Sequence, residues 1–146
     1  MDKRLSTFLI GSIILLSFIG FADSSYLLAK RLSGAPIPCA LGFSGCDTVD
    51  KSPYSAFLGI PLSAYGMAFY LIIGFLAILY LDTKRVLFAR LILPIATLGF
   101  ISSAYFVYLQ AFVIKAFCIF CLVSAGVSAL LFILAVMIYR KTSLPS

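Results

Sequence analysis

Four long stretches of this chain carry no charged residue: Leu5–Ala22, Leu62–Leu81, Leu91–Ile114 and Ala116–Tyr139. Each is near or above the roughly 18–20 apolar residues that an α-helix needs to cross a hydrocarbon core. Composition points the same way. Of the 146 residues, 63% are apolar and 11% charged, and the mean hydropathy is +1.16, whereas a soluble domain carries about 25% charged residues. The expected architecture is an all-α integral membrane protein, a four-transmembrane-helix bundle forming one domain over residues 1–146. Its helices are placed at about 5–28, 62–81, 86–110 and 116–139, with an outer loop over 29–61.

The net charge of +6 is not a nucleic-acid signature, because the basic residues sit at the ends of the apolar runs rather than in one patch. There they report orientation. Lys3, Arg4, Lys84, Arg85, Arg90, Arg140 and Lys141 fall on one side. Lys30, Arg31, Lys51 and Lys115 fall on the other, spread over a longer loop. Both termini are therefore assigned to the cytoplasm. This topology gathers all four cysteines, Cys39, Cys46, Cys118 and Cys121, toward the outer face, where disulfides persist. The chain has no histidine, which excludes His-based acid–base chemistry and His metal ligation. No metal site is expected.

The first apolar run is too long for a signal-peptide core of about 7–15 residues, so it reads as a spanning helix. Asp23 stands near its outer end, either as an interfacial carboxylate paired with Lys30 or Arg31 or as a proton donor near a redox site. The loop that follows is rich in glycine and proline around Cys39 and Cys46, which argues against regular structure. Ser52-Pro53 reads as a helix N-cap followed by its first residue, and Gly59 as a helix stop. The stretch from Tyr54 to Leu58 is thus expected to form a short interfacial helix. Gly66 and Gly74 favour close packing of the second spanning helix. Pro94 is expected to kink the third, whose outer half is made polar by Ser102, Ser103, Tyr105, Tyr108 and Gln110. The tail from Thr142 to Ser146 is expected to be disordered.

The chemistry is carried by Phe117-Cys118-Ile119-Phe120-Cys121. Cysteines three apart on a helix share a face. Cys118 stands at the membrane edge, with Cys121 about 4.5 Å deeper at the helical rise of 1.5 Å per residue. In the first turn of a helix the unpaired backbone N–H groups favour the reactive thiolate. A dithiol that reaches from water into lipid suits electron transfer between a soluble thiol and a lipid-soluble acceptor such as a quinone. A static disulfide, a pair of small buried hydrophobes or a zinc site are the plainer readings, and the Cys39/Cys46 spacing does not suit the usual zinc knuckle. For Cys39 and Cys46 alone, a disulfide that staples the loop is the plainer alternative.

The pattern Cys39…Cys46-Asp47-Thr48-Val49-Asp50-Lys51-Ser52-Pro53-Tyr54…Gly59-Ile60-Pro61…Tyr65-Gly66, followed by Cys118-Ile119-Phe120-Cys121, resembles the bacterial branch of the vitamin K epoxide reductase family. The resemblance spans nearly the whole chain. It implies a bundle around a quinone, ubiquinone, menaquinone or a related one, in the bacterial cytoplasmic membrane. Cys118 and Cys121 match the active-site pair, with Cys121 nearest the quinone. Cys39 and Cys46 match the loop shuttle pair, and Ser52 matches the family's loop serine. The implied task is reoxidation of a separate, DsbA-like thioredoxin-fold partner, in support of disulfide formation. Phe57, Tyr65, Phe69, Tyr105, Phe117 and Phe120 are the aromatic candidates for the quinone pocket. Where animal members carry an asparagine at the start of helix two and a tyrosine four residues after the last cysteine, this chain has Leu62 and Ala125, which argues against a polar grip on the quinone from those positions. The competing reading is a non-enzymatic membrane scaffold or transporter subunit with a stapled loop.

Overall fold

The computed structural model describes residues 3–33, 53, 56–115 and 119–143. Helix α1 spans Lys3–Ser33. A two-residue hairpin follows, β1 (Ala56–Phe57) and β2 (Ile60–Pro61). Then come α2 (Leu62–Thr83), α3 (Val86–Tyr108), a π-helical turn over Leu109–Ile114 and α4 (Ile119–Ser143). Among the described residues, four helices are long and apolar enough to cross a membrane.

The helices pack in a ring: α1 lies against α2 and α4, and α3 closes the circuit against the same two neighbours. The core comes from one narrow face of each helix. Ile10 and Ile13 on α1, Tyr70, Ile73 and Ala77 on α2, Ala89, Ile92 and Ala96 on α3, and Leu131, Ala135 and Ile138 on α4 are all buried. Their spacing of three and four residues is that of a coiled-coil seam. Large side chains such as Phe8, Phe18, Leu71 and Leu98 point outward and are exposed, which is the surface a lipid solvent requires.

Small residues bring α1 and α2 together. A Cβ on Gly66 would stand 2.7 Å from Ser24 Oγ, one on Gly74 would stand 3.3 Å from Ser17 Cβ, and one on Gly20 would overlap the Tyr70 ring. Such contacts replace the hydrophobic drive that helices lack in lipid.

Four expectations change. First, α1 runs to Ser33, past the expected end at 28, because its polar tail of Lys30 and Arg31 sits in the last turn, where cations complement the helix dipole. Asp23 therefore lies ten residues inside the helix, roughly 15 Å from its end. Second, the stretch expected to be a short interfacial helix forms at its C-terminal half the β1–β2 ladder, pairing Ala56 with Pro61 and Phe57 with Ile60. Leu58 and Gly59 take φ of 56° and 79°, the doubly left-handed turn that matches strand twist. Gly59 thus uses its positive φ to turn a hairpin rather than to stop a helix. Third, α3 passes at Tyr108 into the π-turn. Its wider winding ends when the Lys115 N–H bonds the Gln110 carbonyl, with Lys115 left-handed at φ 59°. At the other terminus α4 continues through Ser143, so the first part of the expected tail is helical; residues 144–146 lie outside the described residues.

Candidate functional site

Cys121 is the third residue of α4. The thiol is half-buried. It belongs to a small apolar cluster, separate from the main core, made of Leu27 from α1, Phe106 from α3, Ile114 from the π-turn, and Ile119 and Phe120 from α4. Two helices and the π-turn thus converge with Cys121 on the Leu27 side chain of α1.

An aromatic and cationic stack caps this cluster. The Phe120 ring lies 5.1 Å from that of Tyr26, tilted by 45°. Lys30 Nζ stands 5.6 Å from the Tyr26 ring centroid, within cation–π range. The stack joins the first turn of α4 to the last turns of α1 and sets a positive charge at that end of the bundle.

Below the cluster, the Tyr70 hydroxyl reaches across the bundle from α2 to α4. Its oxygen is 2.8 Å from the Ser124 carbonyl, to which it donates, and 2.8 Å from Ser124 Oγ. Ser124 is one turn below Cys121 on the same helix, so the diagonal contact fixes the part of α4 that carries the thiol. The Tyr70 ring is 2% exposed and is held edge-on by Phe69 at 4.9 Å.

The aromatic candidates separate accordingly. Phe120 packs with Cys121. Phe69 packs against the main core, over Gly99 of α3. Tyr105 is 62% exposed on the outside of α3, and Tyr65 is partly exposed on α2. For Phe57 only the backbone is described, in β1. Phe117, Cys118, Cys39, Cys46 and Ser52 lie outside the described residues. Sequence reasoning missed Tyr26 as the ring against Phe120, and Leu27, Phe106 and Ile114 as the cluster that Cys121 joins. The signal was available for the first two: α1 ends where α4 begins, so an antiparallel register brings Tyr26-Leu27 level with Phe120-Cys121.

A flat, apolar electron acceptor suits this surrounding. The walls are aliphatic and aromatic, and Cys121, the only cysteine among the described residues, packs against them.

Comparison with known proteins agrees with the resemblance read from the residues. Thiol-disulfide oxidoreductase LTO1 of Arabidopsis thaliana is 30% identical over 123 residues, which cover 78% of this chain and 32% of the relative. The chain therefore spans about a third of the length of that curated relative. The sequence pattern described as Vitamin K epoxide reductase family matches residues 12–136. With the bundle, the late Cys118–Cys121 pair and a match over most of its length, the chain belongs to the vitamin K epoxide reductase family, a family of oxidoreductases.

Proposed function

We propose that this protein is a quinone-dependent thiol–disulfide oxidoreductase of the bacterial cytoplasmic membrane, with both termini cytoplasmic and its four cysteines toward the outer face. The observation that carries the reading is the seat of Cys121: a thiol in the first turn of a spanning helix, half in an apolar and aromatic cluster. Family membership and the likeness to a protein named as a thiol-disulfide oxidoreductase support the same chemistry.

In this reading Cys39 and Cys46 take electrons from a separate, reduced thioredoxin-fold protein. A thiolate of the loop pair attacks Cys118 of the Cys118–Cys121 disulfide, and a second exchange leaves Cys39–Cys46 oxidised and Cys118/Cys121 as two thiols. A membrane quinone supplies the two-electron, two-proton acceptor. In this reading Ser52 is the loop serine beside the exchanging sulfurs. Phe120 and Phe106 shape the apolar wall at Cys121, and Tyr26 with Lys30 covers its rim. The direction of flow follows from potentials, since quinones lie above even a strongly oxidising partner disulfide at about −120 mV.

The test is steady-state reduction of ubiquinone-1 or menadione by dithiothreitol, under anaerobic conditions, with the purified protein in detergent. The wild type is expected to accelerate the reaction, and Cys121→Ala to abolish the acceleration while keeping the helical spectrum and thermal midpoint. Equal rates for wild type and Cys121→Ala would leave the scaffold reading in its place.

A further inference from the structure

Asp23 is the one acidic residue well inside a spanning helix among the described residues. An ionisable group at such a place is expensive and is rarely kept without use. Its expected ion pair at the interface does not form. Lys30 is seven residues further along α1, roughly 10 Å away along the axis, and lies over the Tyr26 ring instead. Asp23 Oδ2 is buried and has no hydrogen-bond partner among the described residues. Two more oxygens in the same outer third share that condition, Ser25 Oγ on α1 and Ser63 Oγ on α2. Ser63 is one turn outward from Gly66, which faces Ser24. Buried oxygens of this kind are the customary companions of internal water.

From Asp23 a polar track leads to the thiol. Gly20 is one turn inward on α1, and the Tyr70 ring lies directly over it. Side chains on a helix lean toward its N-terminus, so the carboxylate leans toward the turn of Gly20, over which Tyr70 lies. Tyr70 meets Ser124 at 2.8 Å. Cys121 is one turn outward from Ser124, on the same face of α4.

We propose that Asp23 is the proton-holding residue of the membrane-side step, coupled to Cys121 through Tyr70 and Ser124. The proposal rests on the thiol-to-quinone reading above. When Cys118 and Cys121 become a disulfide they lose two electrons and two protons, and the acceptor takes up both. The protons leave at sulfur and enter at a different place. Asp23, a carboxylic acid at rest, gives its proton to the reduced acceptor and is reprotonated by one of the two released at sulfur, while the second passes to the acceptor, so the count of protons is unchanged over the cycle. Among the described residues, Tyr70 is the titratable group of α2 set against this level of α1; Tyr26 and Lys30 stand further along α1, and Cys121 of α4 packs on Leu27. The nearest cations of α4, Arg140 and Lys141, are in its last turn, at the other end of the bundle.

Three measurements on wild type, Asp23→Asn and Asp23→Glu test this. Infrared spectroscopy of the quinone-free protein at neutral pH should show a protonated carboxyl band that exchanges with deuterium and is missing in Asp23→Asn. Exchange between dithiothreitol and the Cys118–Cys121 disulfide, without quinone, should stay within twofold of wild type. Reduction of ubiquinone-1 should fall at least tenfold in Asp23→Asn, lose its wild-type pH profile and recover in part in Asp23→Glu. An Asp23→Asn protein that reduces quinone at the wild-type rate and pH profile overturns the proposal. So does one that loses thiol exchange and quinone reduction together, which is the mark of a structural role. If the wild type itself reduces no quinone, the underlying reading fails; the infrared band then decides by itself whether Asp23 holds a proton, and its absence overturns that claim too.

Discussion

Tyr70 and Ser124 are joined across the diagonal of the bundle, with the tyrosine oxygen 2.8 Å from both the carbonyl and the hydroxyl of the serine. The ring-shaped order of helices gives α2 and α4 no extensive shared wall, so this contact ties two diagonal elements together. Tyr70→Phe keeps the ring over Gly20 and removes only the hydroxyl. It should lower stability by about 0.5–1.5 kcal/mol, the net worth of one such bond, read as a lower thermal midpoint with unchanged helix content.

Leu27 is the α1 side chain behind Cys121. Leu27→Ala opens a cavity there and should cost about 2–3 kcal/mol. Alkylation of Cys121 by a small maleimide should become several-fold faster as its wall loosens. Leu15→Ala, on the lipid-facing side of the same helix at 62% exposure, should change stability by less than about 0.5 kcal/mol and leave the alkylation rate alone.

Leu58 is held left-handed at φ 56° with its side chain 82% exposed. A residue with a Cβ pays roughly 1 kcal/mol for that conformation, and packing returns little to so exposed a side chain. Leu58→Gly should therefore raise the thermal midpoint slightly or leave it unchanged. Gly59→Val at φ 79° should lower it. A fall for Leu58→Gly would mean that the leucine is anchored in the bilayer surface.

Much of this architecture is written in the chain as hydropathy. The four uncharged runs locate the four helices, and the start of α2 at Leu62, directly after Pro61, agrees to the residue. What stayed hidden depends on pairs of residues far apart in sequence. Nothing local marks Tyr70 as the buried centre of the bundle, since eight tyrosines and fourteen phenylalanines make any one of them unremarked. Its position follows from Gly20 opposite, fifty residues away, which leaves room for the ring. The hairpin was hidden for another reason. Gly59 signals positive φ, a property that helix stops and hairpin turns share, and only the pairing of Phe57 with Ile60 decides between them. The π-turn arises where an apolar run without glycine or proline continues past the natural end of α3. For the site, the cysteine spacing named Cys121, whereas its walls come from three helices and could be found only by placing α1 antiparallel to α4.

The most direct test of the central claim is a single turnover. Fully reduced protein, free of external thiol, is mixed anaerobically with one equivalent of ubiquinone-1. Quinol is measured by absorbance, and the thiols are counted by maleimide mass shift and peptide mapping. The account predicts one quinol formed per protein, two thiols lost and, in a Cys39→Ala/Cys46→Ala background, a disulfide between Cys118 and Cys121. Four thiols retained and the quinone left oxidised would contradict it.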